Sequence, residues 1–144
     1  MKIIKGIILS FKKNPFFNSI DESVSIIEDG GILIDNGLIK EVNNFSVIKK
    51  NYPLARIYDY GKNLITPGFI DCHMHYPQTG IISSYGKRLI DWLNDYTFPE
   101  EKKFVDPRYA SEIASLTLDI CLQNGTTTVS SFCTSSPISV NQFF

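Results

Sequence analysis

Both histidines of the chain, His73 and His75, stand one residue apart in the segment PGFIDCHMHYPQTG, residues 67–80. Alternate side chains of a β-strand point to the same face, so a strand here would project both imidazoles together, with Asp71 on the same side. Imidazoles are common ligands of divalent metals, and an open zinc site lowers the pKa of its bound water to about 7. The spacing therefore predicts half of a water-activating metal site.

The alternative interpretation is that the two histidines are exposed and only hydrogen-bonded. Their position at the end of an apolar strand entered through Pro67 and Gly68 favours the metal site, because sites in barrel enzymes lie at carboxyl strand ends. Cys72 falls on the opposite face of such a strand and is not expected to be a ligand.

The first third of the sequence predicts short strands and tight turns. Strands are predicted at residues 3–11, 24–27, 32–34, 38–42 and 56–60. Turns are predicted at residues 28–31 and 61–63, and Asn36-Gly37 is a strong hairpin signal because both positions of a type I′ turn need positive φ. A short helix is predicted at residues 45–52, ended by Pro53. The pattern indicates a small antiparallel sheet.

The rest of the chain predicts a βαβ unit. A strand is predicted at residues 64–75, and Leu89, Trp92, Leu93 and Tyr96 follow at helical spacing. A further helix begins at Asp106-Pro107 and ends at Asn124-Gly125. Its predicted core-facing stripe consists of Ile113, Leu116, Thr117, Ile120 and Cys121. Residues 126–132 form the next strand, and such units build parallel sheets.

Composition narrows the possible environments and partners. The 144 residues carry a net charge of −1, which argues against a nucleic-acid or anionic-membrane surface, and no apolar stretch is long enough to span a bilayer. Lys5 and Gly6 interrupt the apolar N-terminus, so we do not expect a signal peptide. Cys72, Cys121 and Cys133 lack CxxC spacing and are expected to be reduced thiols in the cytoplasm.

The segment PGFIDCHMH closely resembles the first-strand metal motif of the amidohydrolase superfamily. Within it, the segments LIDWLNDYTFPE at residues 89–100 and NGTTT at residues 124–128 are similar to the guanine deaminase group. The resemblance implies an α/β protein: residues 1–65 would be the N-terminal part of a composite β-sandwich. Residues 66–144 would be the first β/α units of a TIM-like (β/α)₈ barrel, incomplete in this chain.

The same resemblance implies roles for individual residues. His73 and His75 would bind one zinc ion, and Asp71 would orient a ligand histidine. Gln78 would contact a purine; Trp92 and Phe98 would shape the substrate pocket, unless they pack in the core. The reaction would be hydrolytic deamination of guanine to xanthine and ammonia in purine catabolism, by a homodimer.

The remaining metal ligands and the general acid/base have no counterpart in this sequence and are expected downstream of its end. We therefore expect the chain to be an N-terminal portion that is inactive alone. Two alternatives stay open: another amidohydrolase acting on an aminopyrimidine, a triazine or a related ring, or a non-catalytic barrel remnant that binds a metal or a partner chain.

Overall fold

A computed structural model describes all residues from 1 to 144. The chain forms two compact units, Met1–Pro67 and Gly68–Phe144, whereas the sequence placed the boundary after residue 65. No helix is both long enough and apolar enough to cross a bilayer.

The first unit is a four-stranded sheet with two short helices. Its elements are β1 (Lys2–Phe11), α1 (Ile20–Ser23), β2 (Val24–Asp35), β3 (Leu38–Asn44), α2 (Phe45–Asn51) and β4 (Arg56–Ile65). The strand order is β3-β2-β1-β4. Ile3, Leu33 and Ile48 are buried together between the sheet and α2. The hairpin at Asn36-Gly37 is confirmed, with φ of 50° and 78°.

Three predictions for this unit are wrong. The predicted turn at residues 28–31 lies inside the continuous strand β2. Gly30 is there for close packing, since a Cβ atom would lie 2.5 Å from Cδ1 of Ile8 on β1. The sheet is also mixed rather than antiparallel, because α2 carries the chain from β3 to the opposite edge, where β4 runs parallel to β1.

The predicted turn at residues 61–63 is also wrong, because the chain does not reverse direction there. Strand β4 continues through Gly61, which has a φ of 61° and bends the strand. The register between β1 and β4 shifts at this point.

The second unit contains the predicted βαβ arrangement. Strands β5 (Phe69–His75) and β6 (Thr126–Phe132) pair in parallel, and α5 (Pro107–Gln123) precedes β6. Between them lie a 3₁₀ segment at Tyr76–Ile81 and a helical run of α3 (Leu89–Trp92), a π-helical turn (Leu93–Thr97), α4 (Phe98–Glu101) and a 3₁₀ turn (Lys102–Val105). Helix α6 (Pro137–Phe143), which the sequence did not predict, ends the unit.

Helix α5 has the predicted ends and part of the predicted buried face. The Asp106 side chain accepts a hydrogen bond from the Arg108 backbone N–H at 2.9 Å, and Gly125 follows with a φ of 81°. Of the predicted stripe, Thr117 is buried, Ile113 and Cys121 are half-buried, and Leu116 and Ile120 are exposed. Ala110 and Ala114 are buried as well, because α6 and the segment Tyr76–Ile81 pack on this side of the helix.

These observations confirm a mixed α/β fold. The second unit has two parallel strands with their connecting helices, whereas a (β/α)₈ barrel has eight strands. The barrel and the β-sandwich therefore stay predictions.

Candidate metal and substrate site

His73 and His75 lie at the carboxyl end of β5, and their side chains converge as strand alternation predicts. The two Nε2 atoms are 3.2 Å apart and the ring centroids 5.3 Å apart. Both residues are exposed, so a ligand can reach them.

The separation of the two nitrogens fits a single metal ion. Two imidazole nitrogens, each about 2.05 Å from one zinc ion and 3.2 Å from each other, subtend an angle of about 103°, close to tetrahedral. No group of three or more His, Cys, Asp or Glu side chains converges in these residues. The chain therefore offers two ligands, whereas a catalytic zinc usually has three from protein.

Phe132 packs against both imidazoles. It is the last residue of β6 and pairs with His75 across the two strands. Its ring stacks on His75 at 4.8 Å between centroids and lies 5.4 Å from His73. This aromatic contact restricts the ring orientations. Phe132 was not among the predicted site residues, although parallel pairing of the two strand ends places it beside His75.

Gln78 lies in the 3₁₀ segment that follows β5. Its Nε2 is 3.4 Å from Nδ1 of His75 and donates to Oε1 of Glu101 at 3.2 Å. Nothing in the sequence pattern indicated a role for Glu101. Asp71 is exposed, and its Oδ1 accepts a hydrogen bond from the backbone N–H of His73 at 3.0 Å. The Asp71 carboxylate therefore supports the strand backbone at His73.

A cavity of about 380 Å³ opens beside the histidines. Its lining residues are His73, Met74, His75, Gln78, Thr79, Ile81, Ile82, Ser83, Ser84 and Trp92. The Trp92 indole donates to Oγ of Ser84 at 2.8 Å, which fixes the ring at the cavity wall. Phe98 lies apart from this group and lines a second cavity with Glu101 and Thr134.

A buried carboxylate supports the segment that carries Gln78. Glu100, only 5% exposed, accepts hydrogen bonds from the Tyr109 hydroxyl and from Lys103 Nζ, the latter at 2.6 Å. Its Oε1 would lie 2.8 Å from a Cβ atom on Gly80, so only glycine fits there without displacing the carboxylate. Burial and the hydrogen bond to Glu100 raise the pKa of Tyr109, and the hydrogen bond that Lys103 donates to Glu100 raises the pKa of Lys103.

Tyr76 anchors the other end of that segment. Its buried hydroxyl donates to the backbone carbonyl of Ser139 at 2.5 Å and lies 2.9 Å from the Ser139 hydroxyl. Its ring stacks on Phe143 at 4.4 Å. Burial raises the pKa of Tyr76. Tyr76, the residue that follows His75, is therefore tied to helix α6.

Residues 64–139, more than half of the chain, match the amidohydrolase family. The chain belongs to the amidohydrolase family. The whole of this amidohydrolase chain aligns with 33% of the guanine deaminase of Escherichia coli K12, at 36% identity.

Two solved guanine deaminases share the fold of this amidohydrolase chain. The enzyme from Bradyrhizobium japonicum superposes with a TM-score of 0.92 at 34% identity, covering 99% of this chain and 31% of that one. The enzyme from C. acetobutylicum, solved with guanine in its active site, superposes with a TM-score of 0.78 at 31% identity, covering 99% of this chain and 32% of that one. The chain thus spans about a third of the length of the relatives that it matches.

Proposed function

We propose that this chain is the metal-binding N-terminal portion of a guanine deaminase. The observation that carries the proposal is the pair of Nε2 atoms of His73 and His75, 3.2 Å apart and beside Gln78 in one cavity. The similarity to guanine deaminases over the full chain supports the choice of substrate.

In the proposed reaction, water replaces the exocyclic amine of guanine, giving xanthine and ammonia. Zinc, when bound by the two imidazoles and further ligands, supplies a water acidic enough to act as a nucleophile at neutral pH. Phe132 and the β5 backbone hold the imidazoles, and Trp92 closes one side of the cavity. Gln78 is the amide that contacts the purine, because a carboxamide can both donate and accept hydrogen bonds.

The other parts of the proposed enzyme lie outside these residues. We infer that further ligands and the general acid/base come from later strands of a (β/α)₈ barrel, and that residues 1–65 join a β-sandwich. We also propose a homodimer located in the cytoplasm, where Cys72, Cys121 and Cys133 stay free thiols, as they are in this structure.

The test is an assay of the protein as its source makes it, captured with an antibody against residues 1–67. We expect guanine to be converted to xanthine, measured by absorbance, and we expect His73→Ala to abolish the conversion. The 144-residue chain alone, supplied with zinc, should produce no xanthine. Turnover of an aminopyrimidine, a triazine or a methylthioadenosine without turnover of guanine would instead identify another amidohydrolase.

A further inference from the structure

Glu101 approaches the candidate site from behind Gln78. Its carboxylate lines the second cavity, whereas Gln78 lines the cavity that contains the histidines. The two side chains meet where Oε1 of Glu101 accepts a hydrogen bond from Nε2 of Gln78 at 3.2 Å. Glu101 therefore contacts the amide without contacting the histidine cavity itself.

A carboxylate can only accept hydrogen bonds, so it discriminates between the two ends of an amide. With Nε2 toward Glu101, the contact is a charge-assisted hydrogen bond, which is about twice as strong as a neutral one. With the amide flipped, Oε1 of Gln78 would face the carboxylate oxygen, and the two acceptors would repel each other. Glu101 thus favours one of the two orientations.

The contact to His75 cannot favour the observed orientation of the Gln78 amide when a metal is bound. The Gln78 nitrogen lies 3.4 Å from Nδ1 of His75, near the limit for a hydrogen bond. If Nε2 of His75 binds the metal, Nδ1 carries the ring proton. The Nδ1–H group would then favour the flipped amide, whose oxygen could accept from it, so the charge-assisted bond to Glu101 is what holds the amide nitrogen in the observed orientation.

We propose that Glu101 is a positioning residue that fixes the Gln78 amide with its oxygen available to a ligand in the histidine cavity. The ligand must then present an N–H group to this oxygen, a requirement that a guanine ring meets through its ring and exocyclic N–H groups. The choice of guanine as ligand rests on the proposed function, whereas the orientation of the amide does not.

The orientation is tested by NMR on the ¹⁵N-labelled 144-residue chain, with the side-chain NH₂ signals of Gln78 assigned by their loss in Gln78→Ala. In the wild type, we expect two well-separated proton signals that exchange slowly with water. Glu101→Ala should move them toward the values of an unrestrained glutamine. Glu112→Ala, a matched change of an exposed acid on α5, should leave them unchanged.

The conservative variant keeps this test decisive if Glu101→Ala fails to fold. Glu101→Gln retains the shape and a neutral acceptor, so its signals should lie between those of the wild type and of free glutamine. Unchanged Gln78 signals in a folded Glu101→Ala, or in Glu101→Gln when the alanine variant does not fold, would overturn the proposal.

Affinity for guanine provides a second readout in the protein used for the deamination assay. If Glu101→Ala leaves both amide orientations equally populated, the competent fraction falls to about one half and the apparent Kd rises about twofold. Glu101→Lys reverses the preference, so the competent fraction should fall below about one tenth and the Kd should rise more than about tenfold. An equal Kd in wild type and Glu101→Lys would contradict the proposal. A wild type that does not bind guanine would refute the proposed function, while the NMR signals would still decide the role of Glu101.

Discussion

The hydroxyl of Tyr76 offers a direct test of how the candidate site is supported. It donates to the Ser139 carbonyl and lies within hydrogen-bond distance of the Ser139 hydroxyl, whose oxygen accepts from the backbone N–H of Thr134 at 3.0 Å. Tyr76 and Ser139 are fully buried, so water cannot replace a lost partner. Tyr76→Phe keeps the ring, with its stacking on Phe143, and removes only the hydroxyl.

The expected cost is that of one lost hydrogen bond. Within α6 the Ser139 carbonyl keeps its helical backbone partner, and the Ser139 hydroxyl oxygen keeps the Thr134 N–H. A typical hydrogen bond contributes about 0.5–1.5 kcal/mol to stability. We therefore expect Tyr76→Phe to lower the free energy of unfolding by about 1 kcal/mol.

Urea denaturation of the chain measures this loss. Trp92 is the only tryptophan and lies in the second unit, so its fluorescence follows the unit that contains Tyr76. The matched control is Tyr85→Phe, since Tyr85 is 76% exposed and the same change there should cost less than about 0.5 kcal/mol. Equal midpoints and slopes for the two variants would refute the claim that the Tyr76 hydroxyl supports this unit.

Two further expectations concern the metal ligands and the Glu100 cluster. Removal of a residue that hydrogen-bonds to a metal ligand typically weakens metal binding tenfold to a hundredfold. His73→Ala or His75→Ala removes a ligand itself, so each should weaken zinc binding by more than that. Competition with a chromogenic chelator measures the loss. Cys72→Ser, an exposed change directly before His73, should not weaken zinc binding. The pKa values of Lys103 and Tyr109 are raised above the ordinary values of 10.5 and 10.0, so the stability that these groups provide is complete below about pH 10 and lost as pH rises further. Glu100→Gln should make this alkaline decline shallower in urea titrations between pH 8 and 11, and an unchanged slope would contradict the assignment.

The sequence predicted the parts of the fold that depend on local chemistry. The Asn36-Gly37 turn, the Asp106-Pro107 helix start and the Gly125 helix end each need specific backbone angles or a capping oxygen, and each is confirmed. The His73–His75 convergence was predictable because strand alternation is a local property.

The parts that depend on distant contacts were not predictable from the sequence. Gly30 leaves room for the side chain of Ile8, which lies in another strand. Because the sequence does not show that contact, the dipeptide Gly30-Gly31 was interpreted as a turn. The buried face of α5 is set by what packs on it, so Ala110 and Ala114 are buried, whereas Leu116 and Ile120 of the predicted stripe are exposed. The Glu101–Gln78 contact joins residues 23 positions apart, which no periodicity reveals.

The pairing of Tyr76 with α6 also has a consequence for biosynthesis. The contacts that hold the end of β5 need Ser139 and Phe143, which the ribosome adds long after the histidines. At about 5–20 residues per second, Phe143 is joined to the chain about 3–13 s after Tyr76. During that interval, Tyr76 has neither its stacking partner nor its acceptor, so the nascent histidine segment is a natural target for chaperones. The order of translation therefore delays the packing of Tyr76 until α6 has emerged.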